Sequence, residues 1–177
     1  MRNDMPSERP SKIAPICLVI GALLGLAGSF APSAPLRGIA WGIDGIALIV
    51  AAALLAVHCL KQDYQTVAAG FLVYIAGQTL VLSGSAMSLE ASSPLFAAGA
   101  ALWSAALVLV STTRVMPLLV RITGGIAALL FAITALQIFA GHDLTPLSRP
   151  LPFLAYPVFV ITLFGWAWWC RSTTSDN

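Results

Sequence analysis

The chain has 177 residues, 59% of them hydrophobic and only 9% charged, with a net charge of +2 and a mean hydropathy of +0.91. An ordinary soluble domain carries about 25% charged residues, so this chain lacks the polar surface needed to cover a core in water. The composition predicts an all-α polytopic membrane protein. It also excludes the dense basic and aromatic surface of a nucleic-acid binder.

Residues 1–12 are rich in Pro, Ser and charge and read as a disordered cytoplasmic leader. A helix crossing a hydrocarbon layer of about 30 Å needs roughly 20 apolar residues. Six segments meet that length in chain order: Ile13 to Ala31, Gly38 to Leu60, Thr66 to Ala86, Leu95 to Ser111, Leu118 to Gly141, and Leu151 to Cys170. They are apolar on every face, whereas barrel strands alternate in polarity. Six transmembrane helices over residues 13–171, followed by a short cytoplasmic tail at 172–177, are therefore expected. The first segment's apolar run is too long for a signal-peptide core, so it reads as an uncleaved helix.

Seven basic residues (Arg2, Arg9, Lys12, Lys61, Arg114, Arg121 and Arg171) fall on one side of this arrangement, and Arg37 and Arg149 on the other. The positive-inside rule then predicts cytoplasmic N- and C-termini and, for a bacterial protein, the inner membrane. Cys17, Cys59 and Cys170 would all lie in the cytoplasmic third, where a structural disulfide is not expected.

Ser-x-Pro-Leu occurs three times, at Ser33 to Leu36, Ser92 to Leu95 and Ser148 to Leu151. Three two-helix hairpin repeats would give such a pattern, and so would ordinary helix-start chemistry, with Ser near the cap and Pro in the first turn. In the third segment Gly70, Gly77 and Gly84 recur every seven residues. Small residues on one stripe let helices approach closely in lipid, and packing within the chain is the expected use. Gly21 with Gly25, and Gly38 with Gly42, make shorter steps of the same kind. Trp41, Tyr156 and the cluster Trp166, Trp168 and Trp169 read as interfacial anchors.

The polar residues inside the segments are few, and they fall at one level. At about 1.5 Å per residue from the outer ends of the segments, Asp44 lies about 9 Å deep, Gln78 about 12 Å, Gln137 about 6 Å and Tyr156 about 8 Å. Ser104 falls at a similar level. Asp44, Gln78, Ser104, Gln137 and Tyr156 are thus candidates for lining one outward-facing polar cavity, since ionisable groups within membranes are costly and tend to serve function. The competing reading makes Asp44 a helix-start residue favoured by the backbone dipole and the two glutamines hydrogen-bonded packing glue.

No metal box, phosphate loop or catalytic constellation is found, so neither a cofactor nor an enzymatic activity is expected. The Gly-rich hairpins with Pro-bearing outer turns resemble the small six-helix HdeD-type membrane proteins linked to acid stress in bacteria. That resemblance is architectural and implies a bacterial inner-membrane setting. The leading expectation is an accessory, assembly or stress-adaptation factor acting through helix packing, with the lipid bilayer and another membrane protein or a second copy as partners. The alternative is a small-solute transporter or permease, proton-coupled, that works through Asp44.

Overall fold

The structure, a computed structural model, describes residues 12–85, 87–142 and 151–175. It is all-helical over these residues, with six helices: α1 (Ile13–Ser29), α2 (Ala34–Lys61), α3 (Gln65–Gly84), α4 (Leu89–Thr112), α5 (Leu118–Phe139) and α6 (Leu151–Ser175). α2, α3, α4 and α5 are long and apolar enough to cross a membrane. Their outward faces carry Ile46, Val50, Leu72, Val108 and Leu129, all exposed. A water-soluble chain would hide such residues; a lipid-facing one displays them.

Each helix packs on its neighbours in sequence, and α6 closes back onto α1. The result is a ring of six helices. Its centre is filled by large side chains rather than left open: Phe71 and Tyr74 from α3, Trp103 from α4, Phe131 from α5, and Phe159 and Trp166 from α6. Trp103, Tyr74 and Phe159 form a triangle of rings, Trp103 near-parallel to the other two at 6.1 and 5.9 Å between centroids and those two 5.7 Å apart, and Trp103 meets the edge of Phe131 at 5.1 Å. Of the four tryptophans read as anchors, two of the three on α6 are core residues. Trp166 and Trp169, three apart, share the buried face of α6, and only Trp168 points outward.

Glycines mark the seams. A Cβ added at Gly70 would meet Val110 and Ala106 of α4, and one added at Gly77 would meet Gly99, Trp103 and Leu102. At Gly84 the neighbours are Ser92 and Leu95. The seven-residue stripe of α3 is thus consumed in packing on α4. Gly38 and Gly42 differ, since a Cβ at either would meet nothing within 4 Å. That step faces outward.

Several boundaries differ from those expected. α2 starts at Ala34 rather than Gly38, because Ser33 is the extended N-cap and Pro35 fits the first turn. α4 starts at Leu89 rather than Leu95. Ser88 caps it by accepting a hydrogen bond from the Ala91 amide at 3.4 Å, and Pro94 is carried inside the helix. The second Ser-x-Pro-Leu therefore lies within a helix, not before it. Most of the third lies outside the described residues, as do residues 1–11 of the leader. α6 continues as helical backbone through Ser175, into the stretch read as a tail.

α2 and α5 end in the same way. Asp63 and Gly141 take positive φ, 64° and 88°, and the amides of Tyr64 and His142 reach back to the carbonyls of Cys59 and Gln137 at 2.9 and 3.1 Å. These are Schellman closures, which satisfy the last carbonyls and turn the chain sharply. At the other seam, half-buried Arg121 donates its Nε–H to the Ser111 carbonyl at 2.9 Å, tying the start of α5 to the end of α4.

Candidate functional site

The site forms where α1, α2 and α6 meet, and it begins with a carboxylate placed well inside a helix. Asp44 lies ten residues after Ala34, about 15 Å along the axis. The N-terminal dipole acts over the first turn and so does not account for a carboxylate in the third. Asp44 is only 6% exposed. Its burial is by protein, not by lipid headgroups.

Asp44 Oδ2 accepts a hydrogen bond from the Tyr156 hydroxyl of α6 at 3.4 Å. Oδ1 is buried without any hydrogen-bond partner. The backbone of α1 presses on both oxygens. A Cβ placed at Gly21 would lie 3.3 Å from Oδ1, and one placed at Gly25 would lie 2.9 Å from Oδ2 and collide with the Tyr156 hydroxyl. Any side chain at Gly25 would occupy the space that the Tyr156 hydroxyl needs to reach the carboxylate.

Trp41, one turn nearer the start of α2, covers this junction. Its Nε1–H donates to the Gly25 carbonyl at 3.3 Å, and its ring packs against Gly28. The Arg37 guanidinium lies over that ring, 5.8 Å from the centroid. Arg37, Trp41 and Asp44 thus follow one face of α2 at intervals of four and three residues.

Towards the middle of the bundle the polar groups continue on α3. Gln78 is 3% exposed and lies against Gly45, its Nε2 3.4 Å from where a Cβ would stand there. Its Oε1 accepts from the Tyr74 hydroxyl at 3.1 Å, which turns the amide nitrogen towards α2. Tyr74 stacks on Trp103, whose Nε1–H is a second buried group without a partner. Tyr74 is missing from the sequence reading; its i, i+4 spacing with Gln78 is the signal that could have found it.

The five expected residues do not all gather. Asp44 and Tyr156 touch, and Gln78 is next to them. Ser104 is half-buried on α4, which packs on α3 and α5 and not on α2. Gln137 is exposed, two residues from the end of α5. Counting along the sequence segments puts both near Asp44 in depth, but in the structure neither shares its seam, and Gln137 lies much closer to its helix end than Asp44 does. At the opposite end, half-buried His58 meets Trp169 edge-on at 6.2 Å.

These features define an all-helical membrane bundle with a sealed carboxylate at a three-helix junction. No protein-family model, no curated protein and no solved structure matches the chain.

Proposed function

We propose that all six helices cross the membrane, that both termini are cytoplasmic in a bacterial inner membrane, and that the protein is a non-catalytic carrier for a small solute with Asp44 as its working group. The six-span reading is supported by the ring itself, since α1 and α6 pack on each other and on the flanking spans α2 and α5. Three successive hairpins, α1–α2, α3–α4 and α5–α6, would build such a ring.

One observation carries the functional reading. Asp44 Oδ1 is buried without a partner, and an unpaired carboxylate oxygen out of water costs several kcal/mol. A purely structural position would be filled more stably by Asn or Leu. A carboxylate at this position is better explained by a species that binds it during part of a working cycle. The Tyr156 hydroxyl holds Oδ2, and the amide of Gln78 on α3 adds a polar group nearby.

The accessory-factor reading keeps one supporting feature, the open step of Gly38 and Gly42 on α2. The α3 stripe is spent on packing inside the bundle and gives a partner no surface.

Thermal unfolding of the purified protein in mild detergent, against a panel of amines, amino acids, sugars and monovalent salts, tests the proposal. At least one solute should protect the wild type, and Asp44→Asn should weaken that protection at least tenfold in apparent affinity. Equal protection of both proteins would end Asp44's role.

A further inference from the structure

We infer that the species exchanged at Asp44 itself is the proton, and that a carried solute is held elsewhere in the bundle; this rests on Asp44 being the working group. Space at the carboxylate decides the species. A metal ion or an ammonium group must touch the oxygen that binds it. Asp44 Oδ1 offers no surface for a water-sized body to touch, because it is buried with the α1 backbone against it at Gly21. The α1 backbone cannot rotate aside as a side chain would. Only a proton can be added to Oδ1 while the three helices remain packed as they are.

The surroundings offer no other complement. From α1 the groups facing Asp44 are Gly21 and Gly25, which carry no charge. From α6 comes the Tyr156 hydroxyl, already donating to Oδ2. From α3 come Tyr74 and Gln78, which are bonded to each other. On α2 itself Arg37 lies seven residues away, over Trp41. Among the described residues, no group of three His, Cys, Asp or Glu side chains is placed to hold a metal ion.

The step is simple in its balance. A proton from water adds to an Oδ1 lone pair and turns the carboxylate into the acid, while the Tyr156 hydrogen bond to Oδ2 is kept. Release returns the proton to water and restores a charge that requires solvation, which α1 must admit by parting from α2 and α6. The Trp41 hydrogen bond to the Gly25 carbonyl lies across that opening. Proton binding and closure of α1 are thereby linked.

Infrared difference spectroscopy on the full chain in lipid nanodiscs, between alkaline and acid buffer, tests this. The wild type should show a high-frequency carboxylic-acid carbonyl band, as from an acid out of water, that Asp44→Asn lacks and Tyr156→Phe shifts. The band should be the same in sodium, potassium and methylammonium chloride. Its absence from the wild type would overturn the inference, as would its removal by any of the three cations. In the latter case Asp44 binds a cation, and the working-group reading survives without the proton. If the band is absent and no solute or salt protects the wild type from unfolding, both readings fail together.

Discussion

Replacing Gly25 with alanine is expected to destabilise the bundle by about 3 kcal/mol, at the upper end of what overpacking a close-packed interior usually costs. The new methyl would stand where the Tyr156 hydroxyl now lies and 2.9 Å from Asp44 Oδ2. Tyr156 can escape only by leaving the carboxylate, which then has both oxygens buried and unbonded. A second change separates this from a general defect in α1. Tyr156→Phe deletes only the hydroxyl, so the double variant Gly25→Ala, Tyr156→Phe should recover at least 1 kcal/mol relative to the sum of the single effects, as contacting residues do in such cycles. Strict additivity, measured by denaturant unfolding in detergent, would mean that the two residues do not meet.

Gly77→Val should cost as much, for a different reason. The added Cβ would be 2.9 Å from the Gly99 carbonyl oxygen, 2.9 Å from Trp103 Cδ1 and 3.0 Å from Leu102 Cβ. A carbonyl cannot rotate away, so α3 must lift off α4, and the interior stack of Tyr74 and Trp103 parts with it. We expect a loss of about 3 kcal/mol. Gly38→Ala and Gly125→Ala are the internal controls, since a Cβ at either position meets nothing within 4 Å. Each should lie within about 0.5 kcal/mol of the wild type, as surface substitutions usually do. If all three variants unfold alike, the glycines of this chain do not distinguish seam from surface.

These contrasts show which parts of the molecule are readable from one sequence. Segments and their order are, because apolar length is a local property that lipid enforces on each helix separately. Depth is partly readable, because residues can be counted from a segment end. Facing is much harder in a segment that is apolar all round. Gln137 and Asp44 count to similar depths, yet Gln137 is exposed and Asp44 is buried. The tryptophans near the end of α6 mislead in the opposite direction. Their place near a helix end suggests the interface, while the three-residue spacing of Trp166 and Trp169 turns both inward.

The meeting of Asp44 with Tyr156 lies beyond such reading. The two are 112 residues apart and touch only because α6 returns to α1, a closure that no local pattern announces. Gly21 and Gly25 gave a hint, as a small-residue step that brings some partner close. That the partner includes a carboxylate and a hydroxyl follows from the ring alone. Helix boundaries shifted for local reasons: α2 and α4 begin before the expected Gly38 and Leu95, with Pro35 in the first turn of α2 and Pro94 carried inside α4.

The central claim is that Asp44 is a working group rather than a structural one. The most direct measurement is uptake of the solute that protects the protein, into proteoliposomes under an imposed proton gradient, comparing the wild type with Asp44→Asn and with Gln137→Ala. The account predicts at least a tenfold lower rate for Asp44→Asn and an unchanged rate for Gln137→Ala. Equal uptake by the wild type and Asp44→Asn would contradict it.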